Sequence, residues 1–226
     1  MPKLIILGTA TNRSDAPFDD KSVEIWGVSG VLTCKDVRRV DVAFEMHPAR
    51  FWKRPEILEV LNGFSGKIWM QDVYEEIPHS MRYPIEGVRE AFYMPTMGRT
   101  LYLTNTISFM FALAVLLGYT EIETYGVYME AEGEYGYQRP NCEFFLGYMH
   151  AKGIKVTLNG GDVLKAGFLY GYEEPEILPE LIRHGVELEA GRKQLSEEIE
   201  SLKRKIHMQE GGIKYNLDLR KRYGGY

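Results

Sequence analysis

Residues 124–156 read TYGVYMEAEGEYGYQRPNCEFFLGYMHAKGIKV. Thr124–Met129 and Ile154–Leu158 are short apolar runs with a helix-length segment between them. That is the pattern of two parallel strands joined by a crossover. A polar loop gathers Glu130, Glu132, Glu134, Tyr135, Tyr137, Gln138 and Arg139, and the spacing beyond it predicts a helix from about Cys142. In open α/β sheets a ligand binds past the carboxyl ends of the strands. The loop after Met129 is therefore the first place to look for a site.

Outward from this stretch the rest of a sheet can be read. Lys3–Gly8 is continuously apolar before Gly8, as a central buried strand should be. It runs into Gly8-Thr-Ala-Thr-Asn-Arg-Ser-Asp15, a small polar loop suited to phosphate or ribose, with Gly8, Thr9, Thr11 and Asn12 as candidate contacts. Ala10 occupies the place of a second glycine, so the G-x-G-x-x-G fingerprint is absent, as is the Walker A pattern. Val23–Val28, Val40–Met46 and Gly66–Gln71 are further strand candidates, and Pro55–Phe64 is a helix with proline at its first position. Asp72–Arg99 is broken by Pro78, Pro84 and Pro95, leaving only Pro84–Ala91 briefly helical. Thr104–Gly118 is apolar almost all round, with Thr104 or Asn105 to cap it and Gly118 to stop it. Such a helix must be buried.

Bulk properties bound the function. At 226 residues, 45% hydrophobic and 26% charged, the chain has the composition of a globular protein with one good-sized core and an appendage. A net charge of −5 argues against broad phosphate-backbone binding to nucleic acid. Cys34 and Cys142 fit no zinc or C-x-x-C spacing and read as free thiols. No leader precedes the first strand, and the longest apolar run is too short for a bilayer, which needs about 20 residues. The expectation is a cytoplasmic protein without membrane contact.

Beyond Pro175 and Pro179 the character changes. Leu188, Leu195 and Leu202 recur every seven residues, interleaved with Ile199 and Ile206 and flanked by Glu197, Glu198, Lys203 and Arg204. A helix with this a/d seam is expected to pair with a partner helix through residues 181–206, from a second copy or another protein, or to lie on the domain, and Gly211-Gly212 is expected to interrupt it. The reading is an α/β domain over 1–172 and a coiled-coil-like extension with a basic tail over 173–226.

Glu45 and His47 lie two apart, so on an extended strand they share a face, and His47 suits a general base, a ligand together with Glu45, or a structural hydrogen-bonder before Pro48. Glu134 is a further catalytic candidate, and Gln138 and Arg139 can fix a phosphate or an amide. Ser108, with Thr106, stands at the positive end of the apolar helix, where an anion or simple capping explains it. Glu143 suits either the start of its helix, complementing the dipole, or chemistry. No triad or metal-ligand spacing is evident.

Ala16-Pro-Phe-Asp-Asp with Glu24-Ile-Trp-Gly27, Phe44-Glu-Met-His47, Ser108, and Tyr125-Gly126 with Glu134-Tyr-Gly-Tyr-Gln-Arg-Pro140 and Glu143 form a set. In these the chain resembles a group of Rossmann-like proteins of phages and prophages without a settled activity. More distantly it is similar to 6-hydroxymethylpterin pyrophosphokinase-like proteins and to sialyltransferase-type glycosyltransferases. The resemblance implies a nucleotide or nucleotide-sugar at the strand ends, Mg2+ being the metal a nucleotide would bring, with Trp26, Gly126 and Tyr137 joining the ligand contacts. The Glu143 helix also resembles that of nucleoside deoxyribosyltransferases and related N-glycosidases, where a glutamate serves the sugar's anomeric carbon. Three functions follow: a nucleotide-binding transferase of glycosyl or pyrophosphoryl groups, a non-catalytic phage virion or assembly component, and an N-glycosidase using Glu143.

Overall fold

In a computed structural model, residues 3–92, 102–129, 133–160, 163–164, 169, 172–173 and 177–224 are described, without the side chains of Glu134 and Tyr135. Seven strands run parallel: β1 (Lys3–Leu7), β2 (Val23–Val28), β3 (Val42–Glu45), β4 (Lys67–Met70), β5 (Ser80–Arg82), β6 (Glu121–Tyr125) and β7 (Lys155–Asn159). Their order is β5-β4-β3-β2-β1-β6-β7. The chain winds outward from β1 to β5, then crosses back to lay β6 on the other side of β1. The topological switch point thus falls between β1 and β6, where such sheets hold ligands.

Alternation along the strands builds the two faces. Leu4, Ile6, Trp26, Phe44 and Ile122 point into one core, under α3 (Ile85–Ala91), α4 (Thr106–Leu116) and α5 (Glu134–Ala151). Ile5, Leu7 and Ile25 point the other way, as do Ala43, Ile68 and Met70 under α1 (Ala49–Trp52) and α2 (Pro55–Gly63). The result is the Rossmann-like three-layer architecture expected. Helix α4 has seven of its eleven residues buried, which accounts for its all-round apolarity. Asn105 caps it reciprocally with Ser108, and Gly118 follows at φ 79°.

Three local expectations are corrected. Residues 134–139 are not loop but the first turns of α5, which continues through Pro140. The proline removes one helical donor, yet the turns are held from outside. Asn105 Nδ2 and Thr104 Oγ1 donate to the Gln138 carbonyl at 3.1 and 3.3 Å. Within Asp72–Arg99 the strand β5 was not expected, because Ser80-Met-Arg82 carries no apolar run; residues 93–99 lie outside the described residues. Finally, α6 (Leu178–Tyr223) is one helix of 46 residues that runs through Gly211-Gly212.

The chain divides into two compact units, Met1–Ala166 with the sheet and Gly167–Tyr226 with α6. Among the described residues no helix is long and apolar enough to cross a membrane. Cys34 and Cys142 are both free, and burial pushes the Cys142 thiol up to about 12.

Strands β1 and β6 approach closely at the switch point. Gly8 N donates to Tyr125 O at 2.8 Å and Ala10 N to Gly126 O at 2.9 Å. A Cβ on Gly8 would lie 2.2 Å from the Gly126 carbonyl oxygen, a backbone atom that no side-chain rotation can move away. Gly126 has φ 69°, and its Cβ would meet Gly8 O at 2.6 Å. Gly8→Ala should therefore destabilise the protein by at least about 2 kcal/mol, seen as a lowered urea midpoint at unchanged m. Gly147→Ala in α5, with nothing within 4 Å of the new Cβ, should instead stabilise by about 0.5–1 kcal/mol.

Candidate functional site

A cleft of about 590 Å3 opens at the switch point, over the carboxyl ends of β1, β3 and β6. Gly8 and Thr9 follow β1, Met46, His47 and Pro48 follow β3, and Gly126–Met129 follow β6. The N-terminus of α4 closes one side with Thr104, Asn105 and Thr106, and Gln138 reaches in from α5. With Val28 at the end of β2, four strand ends and a helix N-terminus thus converge.

Asn12 holds the mouth in place rather than lining it. Its Oδ1 accepts from Gly126 N at 2.9 Å, and its Nδ2 donates to the Asn159 carbonyl in a short hydrogen bond. One side chain so ties the loop after β1 to the ends of β6 and β7. The positive end of the α4 dipole faces the cleft, a setting that favours an anion.

Glu45 and His47 form a hydrogen-bonded pair at the end of β3. The Glu45 carboxylate is only 5% exposed and accepts from Ser29 Oγ at 2.6 Å, His47 N at 2.9 Å and His47 Nδ1 at 2.6 Å. Burial alone would raise its pKa. The hydrogen bonds from His47 and Ser29 outweigh burial and hold it below the ordinary carboxylate value. The carboxylate is therefore ionised near neutrality. Nδ1 of His47 faces that carboxylate, so in a neutral imidazole Nδ1 carries the proton. The His47 side chain is 58% exposed and lines the cleft.

Of the residues singled out from sequence, Gly8, Thr9, His47, Gly126 and Gln138 line the cleft, and Glu45 supports it from behind. Thr11 opens the 3-10 turn Thr11–Asp15, away from the lining. Trp26 is 1% exposed and packs on Phe44 and Tyr119, so it is core and not a ligand contact. Ser108 is fully buried and its hydroxyl donates to Asn105 O at 2.7 Å, which commits it to capping rather than to an anion. Tyr137 is 70% exposed and is not in the cleft lining. Arg139 Nη1 donates to Met129 O at 3.4 Å, and its Nε lies 3.3 Å from Glu143. Glu143 is thus mid-helix, one turn from Arg139, and neither at the helix start nor at the cleft. Glu130 and Glu132 lie outside the described residues; Glu134 opens α5, its side chain undescribed.

Ser29 and Tyr128 were missed. Ser29 sits in a 3-10 turn (Ser29–Thr33) after β2, where only the strand-end rule could have flagged it. Tyr128 lies in the stretch read from sequence as strand, although β6 ends at Tyr125. Among the described residues no group of three His, Cys, Asp or Glu side chains could hold a metal. The described cleft lining contains no carboxylate, and Glu45 is occupied by its hydrogen bonds. These residues do not fit a resident Mg2+.

Fold and cleft together define a Rossmann-like α/β protein with a cleft at the strand ends. Among solved structures, a single-residue variant of the sialyltransferase CST-II in complex with CMP superposes with a TM-score of 0.50 at 13% identity, over 70% of this chain and 81% of that one. The sialyltransferase CstII from Campylobacter jejuni with the substrate analogue CMP-3FNeuAc gives 0.47 at 14% identity, over 70% and 80%. The apo alpha-2,3-sialyltransferase from Campylobacter jejuni gives 0.46 at 11%, over 84% and 95%. At these identities the likeness concerns the fold alone. No family model and no curated protein matches the chain.

Glu45→Gln tests the pair. The substitution should cost about 1–3 kcal/mol at neutral pH, because an amide cannot accept all three hydrogen bonds as a carboxylate does. The depressed pKa of Glu45 makes its contribution fully present above the ordinary carboxylate value. That contribution is lost as pH falls through the folded-state value. Urea unfolding of both proteins across pH 7 to 3 should therefore show the difference shrinking in acid.

Proposed function

We propose that the protein is a nucleotide-sugar-dependent glycosyltransferase that binds its donor in the cleft between β1 and β6, with His47 as general base. The observation that carries this reading is His47, backed by buried Glu45, lining a cleft that also receives the N-terminus of α4. In the step envisaged, an acceptor hydroxyl attacks the anomeric carbon of the donor. The new carbon–oxygen bond forms as the bond to the nucleotide phosphate breaks. The hydroxyl proton passes to Nε2 of His47, and the phosphate leaves with the electron pair.

Ionised Glu45 stabilises the imidazolium that results, at 2.6 Å from Nδ1. The α4 dipole favours the departing phosphate. Pyrophosphoryl transfer is less well supported, because it requires cations or basic side chains around a polyphosphate. The described lining has no Lys or Arg. The N-glycosidase reading lacks support because Glu143 lies apart from the cleft, paired with Arg139. Likeness to sialyltransferases enters only as a shared fold.

Calorimetry with CMP, UDP, GDP and ADP, each with and without Mg2+, should show one nucleotide binding stoichiometrically. His47→Ala should change that affinity by less than about tenfold while lowering transfer from the matching nucleotide-sugar by about 10²–10⁴-fold. Absence of heat with every nucleotide would end the reading.

A further inference from the structure

Helix α6 extends about 70 Å at 1.5 Å per residue, yet none of its described residues is buried. Its apolar side chains are not scattered. Leu181, Leu188, Leu195 and Leu202 recur at one heptad position, and Ile199, Ile206 and Ile213 at the position four residues on; all are 50–61% exposed. Taking the leucines as d makes the isoleucines a, and a seam of Ile at a with Leu at d favours two parallel strands.

We propose that α6 is the dimerisation element of the protein, pairing in parallel and in register with α6 of a second copy. Charge complementarity selects this occupant. In a parallel in-register pair, position g of one helix faces position e of the next heptad on its mate. Here g Glu198 would face Lys203 of the second copy, and g Lys205 would face Glu210 of the second copy. Both pairs are attractive, and symmetry repeats each of them. Within its own helix Lys203 already engages Glu200 at 2.8 Å, which keeps it on the flank of the seam.

Orientation follows from the layers. Parallel alignment stacks Ile199 on Ile199, Leu202 on Leu202 and Ile206 on Ile206. Antiparallel alignment would set isoleucine against leucine instead, giving up the sorting that the sequence maintains. Arg192 at a, with Gln209 and Asn216 at d, places polar groups at both ends of this apolar block. Such positions lower stability while fixing register.

Light scattering on the full chain should return about twice the 26.0 kDa of one chain. A monomer at every concentration up to about 100 μM, or a trimer, would overturn the proposal. Ile199→Asp with Ile206→Asp should give monomers. Because that variant removes much of the seam, a gentler charge swap accompanies it. Glu198→Lys should raise the dimer dissociation constant about tenfold, and adding Lys203→Glu in the same chain should restore it within about twofold. No change with Glu198→Lys would refute the register. Gln209→Cys in a Cys34→Ser background should form a covalent dimer on oxidation, since facing d positions bring the sulfurs within disulfide reach. Failure to cross-link while the dimer persists would mean antiparallel pairing and sink the model of parallel helices.

Discussion

Everything at the candidate site depends on how closely β1 and β6 approach at their carboxyl ends. Two glycines meet there backbone to backbone, and neither tolerates a Cβ. Without that contact the loop after β1 and the loop after β6 would be pushed apart, and Asn12 would lose its reach to Gly126 and Asn159. The switch point is where the two loops leave the sheet, so it is also where open space must exist. A tight backbone contact beneath and a cleft above are two aspects of one constraint.

On that frame the Glu45–His47 pair shows how a fold can fix an ionised carboxylate and an imidazole at one strand end. Placing a carboxylate at 5% exposure is costly on its own. Three short donors from Ser29 and His47 offset that cost and keep it ionised. The same bonds fix the ring of His47 and its tautomer. The orientation of the pair is therefore set by the folded protein.

The parts legible in sequence were those governed by local rules. Central strands and α4 stood out because burial on all sides demands continuous apolar runs. Gly8, Thr9 and His47 were placed at the cleft by the strand-end rule, whatever the exact register, and Gly126 by the family resemblance. Other readings failed where tertiary contacts overrode local signals. Pro140 looked like the end of a loop, yet contacts from Thr104 and Asn105 sustain the helix across it. Once residues 134–143 wind at 3.6 per turn, Gln138 faces the cleft while Tyr137 and Glu143 turn elsewhere. Trp26 failed for the opposite reason: alternation along β2 sends it into the core with Phe44. Ser29 carries no signal of its own, since only the fold brings it to Glu45.

Helix α6 poses a different physical problem from the domain with the sheet. It contains Gly185, Gly191, Gly211 and Gly212, each costing about 1 kcal/mol relative to alanine in a helix interior. Salt bridges along an exposed helix contribute only about 0.3–0.5 kcal/mol each, so Arg183–Glu187 and Lys203–Glu200 do not offset four glycines. Burial of Leu195, Ile199, Leu202 and Ile206 would, at about 1.5–3 kcal/mol for each side chain. Four glycines weaken this helix on its own, while its leucines and isoleucines lie on one stripe whose covering would more than offset them.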